Sequence, residues 1–313
     1  MMYDFSVIIP TYNRPESLVK VIYALEHQQD APSFEIIVVD DGSACDTGQD
    51  LKQVHVTRAL QFIEADHKGP ATARNRGISA SKSHYLAFLG DDTIPEKDWL
   101  YKHAEAHQKR GYKENVAVLG HIEWHPRIKI TPFLEYLNES GRQFGFALIN
   151  DPENVPHTMF YSSNLSLVRT FAGDRPFNER FQDACWEDIE LGYRLQKKGL
   201  NLVYEKKAIV YHDHPTSLKK FRQRFERVGY SAVIFYQLHP EVDYLGLTPS
   251  GPVPLPSKSA HLYRSILVQL STLLPLKIPP VWEGYLRYFM IKGIHRGWDT
   301  SLMADKKFQF GKK

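Results

Sequence analysis

Short apolar runs alternate with helical stretches over the first ninety residues of the chain. The runs are almost continuous in Val, Ile, Leu and Phe, as strands buried on both faces of a sheet require. Because helical stretches separate them, consecutive strands are expected to lie parallel, with helices packed on both faces. The pattern predicts strands at residues 5–9, 35–39, 60–65 and 85–89, and helices at about 15–29 and 70–81.

Beyond residue 95 the pattern is more mixed. Strands are predicted at 116–124 and 201–211, and a helix at 186–198. The last hundred residues are mainly helical, with a Pro- and Gly-rich linker at 247–257. Two sets of apolar residues recur there at helical spacing: Leu262, Ile266, Leu267, Leu270, Leu273 and Leu274, and then Trp282, Tyr285, Leu286, Phe289 and Met290. We therefore predict an α/β domain of two halves, residues 1–95 and 96–215, followed by a helical extension at 216–313.

The composition is that of an ordinary globular protein. The chain has 313 residues, of which 42% are hydrophobic and 24% charged, so disordered, collagen-like and disulfide-framework classes are excluded. Only Cys45 and Cys185 occur, which fits a reducing compartment. The first residues lack the basic and apolar regions of a signal peptide, and no run of about 18 apolar residues is present. A cytoplasmic protein is expected.

Charge is distributed unevenly along the chain. Residues 1–215 carry 24 basic and 30 acidic side chains, whereas residues 216–313 carry 15 basic and 6 acidic ones. A basic end of this kind suits nucleic acid, anionic lipid or a phosphorylated acceptor.

Polar residues follow the predicted strands at the point where each strand ends. They are residues 10–14 (Pro-Thr-Tyr-Asn-Arg), Asp40-Asp41, residues 66–68 and Asp91-Asp92. The carboxyl ends of parallel strands meet at one edge of a sheet, and ligands bind at that edge. The pattern therefore predicts a binding site there.

Two pairs of adjacent carboxylates belong to this predicted edge. Asp91-Asp92 is either an ordinary turn or a site where Mg²⁺ or Mn²⁺ relieves the repulsion between the two acids. Asp40-Asp41 is either a capped turn or a hydrogen-bond acceptor for a base or ribose. Arg74, in a helix that opens with small residues, reaches a phosphate or an acidic strand end, or is simply solvated.

A third acidic pair opens the predicted helix at 186–198. At 100° per residue, Asp188 lies on the apolar inward face, Glu187 at its border and Glu190 on the outer side. A carboxylate on an inward face either favours the helix N-terminus electrostatically or acts as a partly desolvated general base. Trp186 beside it either stacks on an acceptor sugar or packs in the core.

Several segments, in order and at suitable spacing, resemble the successive signatures of family 2 glycosyltransferases, which have the GT-A fold. They are FSVIIPTYNRP at 5–15, VVDDGS at 38–43, GPATARNRG at 69–77 and FLGDD at 88–92. WEDIELGYRL at 186–195 resembles the acidic helix of that family, and VYHDH at 210–214 its terminal histidine segment. The resemblance covers roughly residues 4–230. One position departs, because the family's metal motif is often Asp-x-Asp and Gly90 stands in the place of the first acid.

The resemblance implies an inverting glycosyltransferase that uses a nucleotide-sugar donor, most often a UDP-sugar, with Mn²⁺ or Mg²⁺. It implies that Asp92 binds the metal with His212 or His214, and that Asp91 holds the sugar or ribose. Asp188 is then the general base, with Glu187 beside it, and acceptor contacts fall to Trp186 and Asn164. The other donor-binding residues implied are Pro10, Thr11, Tyr12, Arg14, Asp40, Asp41, Lys68, Gly69 and Arg74.

The C-terminal extension lies largely outside the resemblance. The Gln-x-x-Arg-Trp motif of processive polysaccharide synthases is absent, so transfer of a single sugar to a glycan or a lipid-linked acceptor is expected. Trp282, Tyr285 and Phe289 share one helical side with cations nearby, and this side either packs within a helical subdomain or contacts an anionic membrane surface. A homo-oligomer is compatible with the same helices, whereas nucleic acid is not an expected partner.

Two other classes of function fit parts of this pattern. A nucleotidyltransferase would use a similar sheet and metal, but it would show a Gly-rich phosphate loop after the first strand, where Pro10-Thr11-Tyr12 stands. A non-catalytic sugar-binding module would not need an inward Asp188 together with a metal pair at a strand end.

Overall fold

The computed structural model describes residues 3–242, 244, 251–274 and 276–310, with side chains described for all of these except 272, 273 and 302–310. The strands are β1 (Tyr3–Thr11), β2 (Phe34–Asp40), β3 (Leu60–Glu64), β4 (Ser83–Leu89), β5 (Thr93–Pro95), β6 (Val116–Trp124), β7 (Asn164–Val168) and β8 (Asn201–His212). The helices are α1 (Pro15–Glu26), α2 (Thr47–Lys52), α3 (Pro70–Ala80), α4 (Trp99–Lys109), α5 (Pro132–Ser140), α6 (Arg169–Ala172), α7 (Glu187–Lys197), α8 (Leu218–Leu238), α9 (Lys258–Leu273) and α10 (Pro279–Phe310).

The strands form one eight-stranded sheet with the order β3-β2-β1-β4-β7-β6-β8-β5. The first four strands make its parallel part, since β1 pairs in parallel with β2 and β4, and β2 pairs in parallel with β3. The other part is mixed: β7 runs antiparallel to β4 and β6, β8 runs parallel to β6, and β5 runs antiparallel to β8. The predicted α/β class, with helices flanking the sheet and a mainly helical C-terminal part, is confirmed.

The predicted elements are present, with differences at their ends. The first helix ends at Glu26 rather than near residue 29, and β1 extends in both directions beyond the predicted 5–9. The sequence pattern does not predict β5 and β7. β5 has three residues, which is too few to show a period. β7 has five, as many as β3, but its Asn and Ser residues break the apolar run expected of a strand that is buried on both faces.

Both faces of the parallel part are buried, which explains the continuous apolar runs. On β1, Val7 and Ile9 belong to the cluster that contains Leu18 of α1, whereas Ile8 packs on the α3 side. α3 lies very close to the sheet there, because a Cβ atom on Gly77 would come within 2.5 Å of the Ile8 side chain. The small residues of α3 are therefore required by its contact with β1.

The chain divides into two compact units. The first consists of residues 1–129 and 144–215, and the second of residues 130–143 and 216–313. The whole sheet belongs to the first unit, so the predicted division at residue 95 does not separate two bodies. The segment 130–143, which contains α5, was expected in the first domain but groups with residues 216–313 instead, and Phe133 packs on α8 and α10.

Within the second unit, α8 and α10 approach each other closely enough for their backbones to touch. A Cβ atom on Gly293 would lie 1.9 Å from the carbonyl oxygen of Glu226, and one on Gly229 would lie 1.9 Å from that of Met290. Only glycine permits this separation, so these two positions determine how the helices pack.

Aromatic side chains join α5 and α10 in the same unit. Phe133 and Tyr136 lie 5.7 and 5.4 Å from Trp282, measured between ring centroids. Trp282 and Tyr285 are buried, and Phe289 packs on His261 and Tyr285. The aromatic side of α10 is therefore an internal surface, which favours the alternative of a packed helical subdomain over a membrane contact for these residues.

Two further sequence expectations concern the same part of the chain. Residues 247–250 of the predicted linker lie outside the described residues, and 252–257 have no regular secondary structure. In the part of the chain that the structure describes, no helix combines the length and the apolar composition needed to cross a bilayer.

Candidate active site

Arg14 forms ion pairs with both of the carboxylates that follow β4. Its Nη1 atom lies 3.1 Å from Asp91 Oδ1 and 2.5 Å from Asp92 Oδ2. Thr11, the last residue of β1, donates its hydroxyl to Asp91 Oδ2 at 2.9 Å. Because β1 and β4 are adjacent parallel strands, their carboxyl ends bring these four residues to one edge of the sheet, where the sequence predicts a site.

The two carboxyl groups of this pair differ in their pKa. Burial, and then the negative charge of Asp92, raise the pKa of Asp91 to about 6. Burial acts in the same direction on Asp92, but positive charge on His212, Arg14 and His214 outweighs it and holds the pKa of Asp92 below its usual value. Asp92 is therefore the more acidic carboxyl group of the pair.

Gly90 leaves room for the Asp92 carboxylate. A Cβ atom on Gly90 would lie 3.2 Å from Asp92 Oδ1 and 3.1 Å from Thr93 Oγ1, which is tighter than most side-chain contacts. The Thr93 hydroxyl bonds the backbone of Gly90 and closes the turn. A third acid in this turn would crowd Asp92, which accounts for the departure from Asp-x-Asp.

His212 is the second residue placed to hold a divalent cation. Its Nε2 atom lies 3.6 Å from Asp92 Oδ2, and its ring is 6.3 Å from that of His214. Between them, Asp213 is engaged by Lys20 and does not join the pair. Among the described residues, no three His, Cys, Asp or Glu side chains form a ready-made metal site. Mg²⁺ commonly takes one or two protein ligands and completes its shell with substrate phosphates, so these residues fit a cation that arrives with a diphosphate.

Asp41 fixes the turn between β3 and α3. It accepts hydrogen bonds from the backbone N–H groups of Lys68 and Gly69, both at 2.9 Å, and His67 Nδ1 lies 2.8 Å from its Oδ2. Asp40 accepts the N–H group of the third residue after it and so closes its own turn. Both carboxylates accept hydrogen bonds from backbone N–H groups. Their contacts with a base or ribose stay predictions.

An exposed aromatic stack lies beside this turn. The rings of Tyr12 and His67 are 4.2 Å apart and inclined by 16°, and Tyr12 is 43% exposed. Such a flat surface can take a stacked ring. Pro10, also a predicted donor contact, pairs with Val39 inside the sheet and is half-buried. Sequence reasoning missed His67, although it belongs to the polar residues 66–68 that mark the end of β3.

The acidic pair at the start of α7 is oriented differently from the prediction. Glu187 was expected at the border of the inward face, but it is buried, with Oε1 2.9 Å from Arg74 Nη1. Glu190 was expected on the outer side, yet it too is buried and bonds Arg194. The helical wheel fails here because residues 176–182 cover the side of α7 that was taken as solvent-facing, as the bond from Arg194 to the Pro176 carbonyl shows.

Asp188 remains partly exposed, and its carboxylate meets backbone donors. Its Oδ2 atom lies 3.4 Å from the N–H group of Ser162, and its Oδ1 atom accepts the N–H group of Ile189 at 2.8 Å. Burial raises the pKa of Asp188, and these donors and the charge of Arg74 oppose the shift. Burial and the charge of Asp188 raise the pKa of Glu187 to about 7. Carboxyl groups with raised pKa values accept protons more readily than ordinary ones.

Arg74 is neither solvated nor paired with a strand end. It is buried, bonds Glu187 and lies over the Phe177 ring at 5.4 Å. The next residue, Asn75, bonds the backbone of Phe177 in both directions. α3 therefore supports the segment that leads to α7, and a donor contact of Arg74 stays a prediction.

The two predicted acceptor residues differ in their positions. Asn164 is fully buried in β7; its amide donates to the carbonyls of His121 and Ala208, and its Oδ1 atom bonds Trp99 Nε1 and His103 Nε2. Asn164 was wrongly assigned to an acceptor site, because its polar atoms are all engaged in the core. Trp186 is half-buried and precedes α7 with a left-handed φ of 73°.

Comparison with known proteins identifies the family of this chain. The model of a family described as glycosyl transferase family 2 matches residues 6–169, and the chain belongs to that family. It is 29% identical over 254 residues to a pre-mycofactocin glycosyltransferase of Mycobacterium tuberculosis, which covers 76% of this chain and 48% of the relative. It is 26% identical to a chondroitin synthase of Escherichia coli, covering 67% and 34%. The chain thus spans about half or less of the length of these curated relatives.

Solved structures share the architecture. The mannosyltransferase PcManGT from Pyrobaculum calidifontis, in complex with GDP-Man and Mn²⁺, superposes with a TM-score of 0.61 at 17% identity, covering 96% of this chain and 88% of the other. S. aureus TarS 1–349, in complex with UDP, gives 0.54 at 16% identity, covering 96% and 92%. At these identities the likeness establishes the fold, and the expected GT-A architecture is confirmed.

Proposed function

We propose that this protein transfers one sugar from a nucleotide-sugar donor, a UDP-sugar, to a hydroxyl group of an acceptor, with inversion at the anomeric carbon. The observation that carries the proposal is the cluster of Arg14, Asp91, Asp92 and His212 at the edge of the sheet. It combines two carboxylates, an imidazole and a guanidinium at the place where a diphosphate is expected in this fold.

In this proposal Asp92 and His212 hold Mn²⁺ or Mg²⁺, and His214 is the alternative imidazole. The cation, when bound with the donor, neutralises the charge that develops on the leaving diphosphate. Asp91, linked to Thr11 and Arg14, accepts a hydroxyl of the ribose or the sugar. PcManGT binds GDP-Man with Mn²⁺ and TarS binds UDP, which supports a nucleotide donor and a divalent cation.

Asp188 acts as the general base. Its carboxylate is held by two backbone N–H groups, and its raised pKa suits removal of a proton from an acceptor hydroxyl as that oxygen attacks the sugar. Attack from the side opposite the diphosphate inverts the anomeric centre. The acceptor is a glycan or lipid-linked saccharide that lies against Trp186, two residues before Asp188 in the chain.

Calorimetric titration with nucleoside diphosphates tests the donor site. UDP is expected to bind in the presence of Mn²⁺ and to bind much more weakly with EDTA. Asp92→Ala should reduce the affinity in Mn²⁺ to the value found with EDTA, whereas the matched change Asp98→Ala, at the N-cap of α4, should leave it unaltered. Equal binding of UDP with Mn²⁺ and EDTA would remove the metal from the proposal.

The reaction products distinguish the alternatives. A glycosyltransferase releases nucleoside diphosphate, a nucleotidyltransferase releases inorganic diphosphate, and a sugar-binding module releases neither. Proton NMR of the first product formed reports the anomeric configuration. Retention of the donor's configuration would contradict direct displacement assisted by Asp188.

A further inference from the structure

α9 and its C-terminal end carry a contiguous apolar surface that faces solvent. Leu262 and Tyr263 are 63% and 64% exposed, and Ile266, Leu270 and Leu274 are 45–59% exposed. We call these five residues the α9 face. A single exposed leucine is ordinary, but five large apolar residues on one side of one helix form a patch of the kind that marks a binding surface.

The opposite side of α9 already makes the internal contacts of the helix. His261 stacks on Tyr288 with 3.7 Å between ring centroids, Val268 is buried, and the hydroxyl of Ser271 accepts the indole N–H of Trp282 at 3.1 Å. At 100° per residue, Ile266 points about 160° away from Val268. The α9 face is therefore not needed to hold the helix in the second unit.

α9 itself carries cations and no carboxylate. From Tyr244 to Trp282 the sequence contains no Asp or Glu, while Lys258, Arg264 and Lys277 fall within the same stretch. Lys258 is exposed one turn before Leu262. Lys277 is paired with Glu135 and Glu139. The side chain of Arg264 lies against Gly284 of α10, so Lys258 is the cation beside the α9 face. An apolar helix face with an exposed cation and no carboxylate on its own helix complements a lipid surface that carries negative charge.

The same charges disfavour a second copy of the chain as the partner. Helices that associate through apolar faces usually border them with charges of both signs, which pair across the interface. Two α9 faces packed together would bring lysines together without a carboxylate on either helix to pair with them.

We propose that the α9 face inserts into the interfacial layer of a membrane that contains anionic lipid, with Lys258 directed to the headgroups. This goes beyond the sugar transfer proposed above and does not depend on it. The contact differs from the one expected from sequence, since the aromatic side of α10 is internal and α9 supplies the exposed apolar residues.

Cosedimentation of the full chain with vesicles tests the proposal. We expect binding to phosphatidylcholine vesicles that contain about 30% phosphatidylglycerol at about 0.05 M salt, and much weaker binding at about 0.5 M salt or to phosphatidylcholine alone. The triple change Leu262→Ser, Ile266→Ser and Leu270→Ser should weaken binding about 1,000-fold, because each apolar side chain contributes about tenfold. Lys258→Gln should weaken binding to anionic vesicles only.

A matched triple change elsewhere controls for general loss of surface apolarity. Tyr23→Ser, Tyr112→Ser and Ile130→Ser alter side chains of similar exposure and should leave vesicle binding unchanged. Full-chain protein that stays in the supernatant at low salt overturns the proposal. So does an α9 triple variant that sediments like the unaltered protein, or a dimer that the α9 triple variant dissociates in sedimentation velocity. Far-UV circular dichroism shows that each variant is folded, and UDP binding, measured in parallel, tests the proposed function separately.

Discussion

Arg74 and Glu187 form a buried ion pair directly beside the proposed base, Asp188. The pair lies out of solvent, with Arg74 contributed by α3 and Glu187 by the first turn of α7. The charge of Arg74 lowers the pKa of both carboxyl groups, whereas burial raises it. Arg74 thus limits how basic the acidic pair becomes and holds the segment that carries Asp188.

Replacing the base tests the assignment directly. Asp188→Asn keeps the shape of the side chain but cannot take up a proton at neutral pH, so transfer should fall by about 10²–10⁴-fold while UDP binding persists. Glu187→Gln should cost less, since the amide oxygen still accepts a bond from Arg74. Initial rates and UDP titrations on both variants provide the measurement. A larger loss of rate in Glu187→Gln would reverse the two roles.

Variants of Arg74 show whether this residue supports α7 or contacts the nucleotide-sugar donor. Arg74→Met leaves Glu187 buried without its partner, which typically costs about 3–5 kcal/mol of stability. The double change Arg74→Met with Glu187→Gln should recover most of that loss, and UDP affinity should change little in either variant. Urea unfolding and UDP titration measure the two effects, with Arg76→Met on the same helix as the control. A loss of UDP affinity specific to Arg74→Met would restore its assignment to the donor site.

Buried histidines behind the site make stability depend on pH. Burial lowers the pKa of His103 from 6.5 to about 4 and that of His107 to about 3, and both rings bond the hydroxyl of Ser166. The unfolded chain binds protons at these groups near pH 6.5 and the folded protein does not. Their contribution to the free energy of unfolding is therefore complete above pH 6.5 and is lost as the pH falls from 6.5 toward 4.

Urea-unfolding midpoints at about pH 7.5 and pH 5.5 measure this dependence. The midpoint should drop at the lower pH, and His103→Gln should reduce the difference between the two values. His27→Gln, at an exposed histidine, should leave the difference unchanged. A His103→Gln protein with the full pH dependence would show that other groups cause it.

At the scale of elements, the sequence predicts those strands and helices that show a long local pattern of apolar residues. β1, β2 and β6 were recognisable because their apolar runs are long, and the strand-end residues Arg14, Asp91 and Asp92 followed from parallel topology. The faces of α7 did not follow, because residues 176–182 decide which of its sides is buried. Asn164 was misplaced for a related reason: a polar residue in a short strand resembles a site residue until its core partners, distant in sequence, are known.

The contact of α8 with α10 gives a prediction at the same scale. A methyl group on Gly293 would meet the backbone of Glu226, which cannot move aside, so Gly293→Ala should destabilise the second unit by about 1–3 kcal/mol. Gly284→Ala in the same helix should cost less, because its methyl group meets the flexible side chain of Arg264. Thermal unfolding of the two variants provides the comparison. Equal losses of stability in the two variants would show that the backbone contact at Gly293 does not determine the effect of the substitution.

At the scale of the whole molecule, the proposed donor and metal residues all belong to the first unit. Binding of UDP with Mn²⁺ to the folded state alone should stabilise that unit, by about 2.7 kcal/mol at 100 times the dissociation constant. Hydrogen-exchange mass spectrometry should therefore show slower exchange in peptides from residues 1–129 and 144–215. Peptides from 216–313 should change little. Protection that appears first in the second unit would place the nucleotide elsewhere.

The position of α5 has a consequence for synthesis on the ribosome. Phe133 and Tyr136 are made early, but Trp282, on which both pack, follows nearly 150 residues later. At roughly 5–20 residues per second, α5 waits on the order of 10 s for its partner. Throughout that time the strands of the first unit can pair, while the side of α5 that packs on Trp282 stays uncovered. A nascent chain stalled before α10 should therefore recruit chaperones at residues 130–143, and release of the finished chain should end that binding.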